Sequence, residues 1–404
     1  LCQFIHPERL LPDNQFAFRP HHSTEDDSLL TATDHCQHCG FVLVDMSKVF
    51  DKVNLQEMVK DLLDIGIGSV ALDWFVDYLS GRHQRVALAD GEVSDTTSCT
   101  CGVPQGSVLG PVLFSLYTRS VVQCASPALV LMFADDIMIY TSSSDVATIN
   151  RVLSIAVSGV ATFLADKGLI LNAQKTQVLG ISAGRRNSLE LAVTCRGTPL
   201  AQTSTAKYLG IYLDERLSWA GQVAAVVKKV SYKLRVLRHI RADITRAQSL
   251  LYYTALILPD LLYASNAYFA SLSASLKQTL IRLDKRCIRC ITTQPSRAHT
   301  MQLYAQLGIC PAVERADCKL RLLVHRILHG NVSLLLKSRL EYSSLPRATR
   351  GQDACNLPLP NITSALLRDL TTQLLLLLQI VSCGIFCPRP LKSHALPHAD
   401  SSVY

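Results

Sequence analysis

Three carboxylates carry the most chemistry in this sequence. Asp45 closes the apolar run 41–45 (FVLVD), and Asp135 and Asp136 stand between two apolar half-strands, 129–133 and 137–140. Acids flanked by buried residues are costly unless a cation offsets them. A pair of Mg²⁺ ions would do so, because this hard cation takes carboxylate oxygens together with substrate phosphates. Mn²⁺ accepts the same oxygen ligands. Two such ions roughly 3.5–4 Å apart can activate an attacking hydroxyl and stabilise a leaving pyrophosphate. An Asp-Asp pair at a hairpin tip is also ordinary turn chemistry, so the three acids alone leave both readings open.

The elements that must hold these acids follow from the pattern. FVLVD reads as a strand, and the half-strands around Asp135-Asp136 as a tight hairpin with both acids at its tip. Segments 55–63 and 71–79 have helical spacing, separated by Gly66 and Gly68. Segments 85–88 and 94–101 flank an Asp90-Gly91 turn as a second hairpin. A helix over 108–118 opens after Gln105-Gly106-Ser107, and one over 149–167 ends at Gly168. Strands are expected over 178–181 and 208–213. Beyond Trp219 the chain turns helical. Val223, Val226, Val227, Val230, Leu234 and Leu237 recur at helical spacing, with Lys228, Lys229, Lys233, Arg235, Arg238 and Arg241 between them. A further helix over 276–291 carries Arg282, Lys285, Arg286 and Arg289.

Composition bounds the class. The 404 residues are 49% apolar and 18% charged, which excludes a wholly disordered or fibrous chain. The net charge of +8 is unevenly spread: residues 221–300 hold thirteen Lys or Arg against three Asp, so the rest of the chain sums to about −2. Such concentration is typical of a nucleic-acid-binding face. The 14 cysteines are scattered, without a secretory signal, and read as reduced thiols. No unbroken apolar run reaches the ~18–20 residues of a membrane span, so no membrane partner is expected. The opening at Leu1 suggests a fragment. From about Ser343 the pattern loses its period, and 343–404 reads as a low-order tail.

Six ordered motifs give the carboxylates a context. Residues 43–53 (LVDMSKVFDKV) resemble motif A of reverse transcriptases from non-LTR (LINE-type) retrotransposons. Residues 102–111 (GVPQGSVLGP) resemble their motif B, 133–136 (FADD) motif C, 169–176 (LILNAQKT) motif D, and Tyr208-Leu209-Gly210 motif E. Residues 15–24 (QFAFRPHHST) are similar to the fingers motif. The resemblance spans about Leu11 to Ile291 and implies an α+β right-hand polymerase with fingers, an antiparallel-sheet palm and a helical thumb. Fingers and palm would occupy 1–218, and the basic thumb and C-terminal helices 219–342.

By that resemblance Asp45 and Asp135 hold two Mg²⁺ ions and Asp136 supports them. Phe50 screens the incoming sugar; packing in the core is compatible with that role. Gln105 and Gly106 present backbone N–H groups at a helix start to a phosphate or base. Arg19 grips the triphosphate, Lys175 neutralises the leaving pyrophosphate, and Tyr208, Leu209 and Gly210 position the primer. Val49 stands where the family nearly always has alanine and would tighten the nucleotide pocket. The implied partners are an RNA template, a DNA primer and deoxynucleoside triphosphates; the oligomeric state is not implied. The implied setting is a ribonucleoprotein of nucleus and cytoplasm. An inactive remnant that only binds RNA or a template–primer duplex is the alternative. Cys383, Cys387, His394 and His398 have the composition of a zinc site, though not the family's usual spacing.

Overall fold

The computed structural model describes residues 10–12, 14–17, 38–46, 49–182 and 188–329. Strand β1 (His38–Val44) has the two-residue period of a strand covered on both sides. Val42 and Val44 are buried on one face, and Phe41 is buried on the other. A single 3₁₀ turn, Val49–Asp51, leads into helices α1 (Leu55–Asp64) and α2 (Ser69–Leu79). The Asn54 side chain caps α1 by accepting the N–H groups of Gln56 and Glu57. The short pair β2 (Arg82–Gln84) and β3 (Thr97–Cys99) precedes α3 (Gly110–Tyr117) and the one-turn α4 (Val121–Cys124). A tight hairpin of β4 (Leu129–Phe133) and β5 (Asp136–Ser143) follows, then α5 (Val146–Asp166) and β6 (Gln177–Ile181). Short strands β7 (Thr194–Cys195), β8 (Thr198–Pro199) and β9 (Ala201–Gln202) lead to the hairpin of β10 (Thr205–Tyr208) and β11 (Ile211–Asp214).

The main sheet has the order β4-β5-β1-β6-β9, antiparallel except for the β6–β9 edge. Helix α5 lies on one face, with Ile149, Leu153, Ala156, Val157 and Val160 in the same buried cluster as Val42, Val44, Ile139 and Val178. Each such aliphatic contributes about 1.5–3 kcal/mol when fully buried. By length and composition α5 is apolar enough to cross a membrane. Here it serves as the central core helix, capped by the Asp145 side chain. Its C-terminal Lys167 forms an ion pair with Asp61 at 2.9 Å and lies over the Tyr117 ring, joining α1, α3 and α5.

The remaining helices are α6 (Ala220–Ile240), α7 (Arg246–Tyr252), α8 (Leu258–Leu262), α9 (Ser265–Tyr268), α10 (Ala274–Ile291), α11 (Thr300–Leu307) and α12 (Ala312–His329). Val223, Val226, Val230, Leu234 and Leu237 form the buried stripe of α6, which packs on α10. At the centre of this helical region Asp284 is buried and accepts three hydrogen bonds. The donors are the Tyr253 hydroxyl (2.7 Å), the Tyr304 hydroxyl (2.6 Å) and the Ala312 N–H (2.9 Å).

Four expectations need correction. The segment 208–213 is a hairpin rather than one strand, because Leu209 (φ +46°) and Gly210 (φ +79°) make a two-residue turn of the I′ kind. The second hairpin stands about its Asp90-Gly91 turn, with Ala87 bridging Val93, but its regular strands lie farther out, at Arg82–Gln84 and Thr97–Cys99. Helix α3 begins at Gly110 with Pro in its first turn, four residues beyond Gly106, so Gln105-Gly106 is a turn ahead of the helix. Val49 is buried in the hydrophobic core, so its bulk is accommodated there. The tail 343–404, with the Cys383, Cys387, His394 and His398 set, lies outside the described residues.

Candidate active site

Strand register brings the acids together. In the β1–β5 pair Val44 faces Ile137, so the next step sets Asp45 opposite Asp136. The β1–β6 ladder ends at the Leu43–Gln177 pair; beyond it Lys175 lies in the turn 173–175, and Met46 bridges Leu171. Directly opposed residues of an antiparallel pair share a face, with Cβ atoms ~4.5–5.5 Å apart. Asp136 and Asp45 therefore stand side by side at one sheet end, with Lys175 in the turn just before β6. They line a common cleft of about 360 Å³, which the β10–β11 hairpin borders through Lys207, Tyr208 and Tyr212.

Asp135 occupies the tip of the β4–β5 hairpin. Phe133 pairs with Asp136, leaving Ala134 and Asp135 as a two-residue loop. Ala134 has φ +57°, a left-handed conformation that costs a residue with a Cβ. Gln15 braces this turn: its side-chain oxygen accepts the N–H of Ala134 (3.3 Å) and of Ala17 (3.2 Å). Its neighbours tie the same segment to the β4 edge, with Phe16 N–H donating to the Met132 carbonyl and Met132 N–H to that of Asn14. On the other side Thr176 Oγ1 accepts the Asp45 N–H (3.2 Å), and Asn172 N–H donates to the Asp45 carbonyl (2.9 Å). These bonds fix the backbone on both sides of the acids.

Among the described residues no donor or cation pairs with the side chains of Asp45, Asp135 or Asp136. The carboxyl of Asp136 is pushed above the ordinary carboxylate range, first by desolvation and then by the charges of Asp135 and Asp45. Asp136 is itself substantially exposed, so water screens part of that repulsion. Among the described residues no three His, Cys, Asp or Glu side chains converge into a closed metal cage. An all-oxygen, open, negatively charged donor set nevertheless fits a Mg²⁺-type cation, which is usually held by one or two carboxylates, with water and substrate phosphate completing the shell.

The other expected residues are placed as follows. Phe50 follows in the 3₁₀ turn, half-buried, its ring centroid 4.5 Å from that of Phe114. Gln105 is exposed and its amide donates to Asp51 Oδ1 at 2.7 Å, while Val103 N–H donates to the Phe50 carbonyl. Gly102 (φ +84°) permits this approach: a Cβ there would fall 2.9 Å from the Asp51 Cα. Gln105 thus lies against the segment after Asp45, and neither it nor Gly106 lines the carboxylate cleft. Tyr208 is buried in the hairpin, and the Leu209 carbonyl accepts the Tyr263 hydroxyl at 2.6 Å. Arg19 lies outside the described residues. Asn172, Thr176 and the role of Gln15 in bracing the turn went unread in the sequence, since their bonds to Asp45 and Ala134 span more than a hundred residues.

An antiparallel sheet that collects acids at one end and carries a helical layer behind it is the arrangement of a nucleotidyl-transferring palm. The family pattern described as "Reverse transcriptase (RNA-dependent DNA polymerase)" matches residues 2–213, and the chain belongs to that family. Its relatives are non-LTR retrotransposon proteins. The chain is 29% identical over 320 residues to the probable RNA-directed DNA polymerase from transposon BS of Drosophila melanogaster, covering 74% of this chain and 35% of that protein. It is 25% identical over 322 residues to the RNA-directed DNA polymerase from mobile element jockey of Drosophila funebris, covering 74% and 34%. The chain thus spans about a third of the length of these curated relatives. Among solved structures, telomerase from Candida albicans aligns over 78% of this chain and 57% of its own, with a TM-score of 0.40 and 13% identity. The family assignment rests on the sequence match and not on that superposition.

Proposed function

We propose that this chain is an RNA-directed DNA polymerase that adds deoxynucleotides to a primer 3′-hydroxyl, as in target-primed copying of a non-LTR retrotransposon RNA. The observation that carries the reading is that Asp136, Asp45 and Lys175 line one cleft at the sheet end, with Asp135 at the adjoining tip and, among the described residues, no counter-charge paired with the acids. Two Mg²⁺ ions, when bound, would activate the primer hydroxyl and stabilise the leaving pyrophosphate. Asp45 and Asp135 would hold them, with Asp136 adjoining. Lys175 stands where it can neutralise the departing phosphate charge. Phe50, fixed against Phe114, is suited to exclude a 2′-hydroxyl from the sugar position. The Tyr208-Leu209-Gly210 turn, held by Tyr263, borders the cleft where a primer end would rest. Gln105 and Gly106 act at the nucleotide from the segment laced to Asp51, and Arg19 grips the triphosphate.

Under this reading 1–218 form fingers and palm, and the helices of 219–342 form a thumb that tracks the template–primer duplex through phosphate contacts. The same reading places the protein with its RNA in nucleus and cytoplasm. Primer extension on poly(rA) with an oligo(dT) primer and Mg²⁺ tests it, with Asp135→Asn alongside. Extension that falls on the order of 10³-fold in the variant is expected, since Lewis-acid stabilisation amounts to several kcal/mol. Absence of extension by the unsubstituted chain, with salt-sensitive binding retained, would overturn it in favour of an inert RNA-binding remnant.

A further inference from the structure

Asp51 follows Phe50 in the 3₁₀ turn after β1, and its carboxylate is exposed. Among the described residues that carboxylate has a single partner: Oδ1 accepts the Gln105 amide at 2.7 Å. The backbone on either side of this bond is held without it. Gly102 N–H donates to the Val53 carbonyl and Val103 N–H to that of Phe50, each at 2.8 Å. The Arg82 guanidinium reaches across from β2 and donates to the carbonyls of Leu79, Cys101 and Gly102. Cys101 Sγ donates to the Asp51 carbonyl at 3.1 Å. Past Gln105, Ser107 Oγ donates to the Pro104 carbonyl and accepts the Gly110 N–H, closing a turn through Gly106 (φ +76°).

Removing a carboxylate from a backbone tied in this way leaves the fold in place. What it takes away is the orientation of an exposed side chain. A glutamine amide has two ends of similar size, one an acceptor and the other a double donor. An ionised carboxylate only accepts, so Asp51 draws the Nε2 end and leaves Oε1 turned away from itself. The charge on the acceptor strengthens the bond. Without it the amide can turn over and the exposed rotamers reopen, and a ligand that uses the amide must then meet the cost of ordering it.

We propose that Asp51 is a positioning residue, which through its bond to Gln105 presets the amide that meets the incoming nucleotide. Nucleotide affinity then depends on Asp51, although Asp51 acts only through Gln105. The proposal rests on the polymerase reading for the identity of that ligand.

Steady-state extension by the full chain on poly(rA) with an oligo(dT) primer and Mg²⁺ gives KM and kcat for dTTP. The Kd of dTTP is measured separately on a template–primer whose primer lacks its 3′-hydroxyl, so that binding is read without chemistry. Asp51→Ala should raise KM and Kd about 3- to 10-fold, as for the loss of one hydrogen bond. Its kcat should stay within about twofold of the parent, with the denaturation midpoint unchanged. Asp51→Asn, whose carbonyl oxygen still accepts the amide, should bind dTTP like the parent. Gln105→Ala should raise Kd at least as far, and Asp51→Ala on that background should add nothing, because the two residues act as one unit. Losses that add in the double variant, or a fall in kcat together with the denaturation midpoint, would overturn the proposal. So would an unchanged Kd in Asp51→Ala, or an Asp51→Asn no better than Asp51→Ala. Coupled loss of dTTP affinity in a chain that fails to extend primers would leave the proposal standing while removing the polymerase reading. Extension with additive or absent effects on Kd would do the reverse. A parent that neither binds dTTP nor extends primers would overturn both.

Discussion

The sheet end and the helical region each place aspartate among apolar residues, and they treat it in opposite ways. Asp284 is 2% exposed, yet its oxygens receive two tyrosine hydroxyls and a backbone N–H. Burial and the Asp284 carboxylate in turn raise both phenols above the ordinary tyrosine range. Asp45, Asp135 and Asp136 are gathered without side-chain donors among the described residues, while the backbone beneath them is braced by Gln15, Asn172 and Thr176. A carboxylate whose hydrogen bonds are satisfied internally holds the fold together. Carboxylates that are positioned but left unsatisfied are available to a ligand from outside. The difference separates a structural acid from a functional one without reference to either region's name.

Asp284→Ala should show the largest effect on stability. It strands three buried donors and should cost about 3–5 kcal/mol in chemical denaturation; a loss below ~1 kcal/mol would mean that the network is slack. Lys167→Met comes next. Asp61 is buried and its carboxyl already lies above the ordinary range through desolvation, opposed by Lys167. Without that lysine the carboxyl should rise further. A raised carboxylate favours the folded state while protonated, at pH below its unfolded value, and that contribution is lost as pH climbs through the folded value. The variant should therefore lose stability relative to the parent as pH rises past the carboxylate range, by roughly 1–3 kcal/mol. A pH-independent deficit would contradict it.

Asp136→Asn should have the smallest effect and the opposite sign. Its carboxyl is raised by desolvation and by Asp135 and Asp45, so ionisation at neutral pH opposes folding when no metal is bound. Removing that charge should stabilise the metal-free protein slightly, by less than ~1 kcal/mol given its exposure. The gain should vanish below the ordinary carboxylate range, where the acid is protonated in both states. Destabilisation at neutral pH would show that Asp136 has a structural partner after all.

Much of this arrangement was legible in the sequence because it is local. The FVLVD run, the apolar flanks of Asp135-Asp136 and the long helix ending at Gly168 all carry their own periodicity. The hairpin at Leu209-Gly210 was misread as a strand because Tyr208, Ile211 and Leu213 dominate the apolar pattern, although Gly210 marked the turn. What local pattern lacks is register: nothing near Asp45 announces that Asn172 and Thr176 will hold its backbone, or that Gln15 will support a turn at Ala134. Nor did local pattern announce that Gln105, ahead of α3, donates to Asp51, 54 residues earlier in the chain.

The central claim is that the unsatisfied acids, and no others, await a divalent cation. Titration of Mn²⁺ into the full chain, followed by electron paramagnetic resonance, tests it most directly. Asp45→Asn would be compared with the parent and with Asp64→Asn, which removes an exposed acid at the end of α1. The parent and Asp64→Asn should bind Mn²⁺ alike, and Asp45→Asn should lose about tenfold or more in affinity, as expected when a ligating carboxylate is removed from an open site. Equal binding by all three would contradict the account and place the cation, if any, elsewhere.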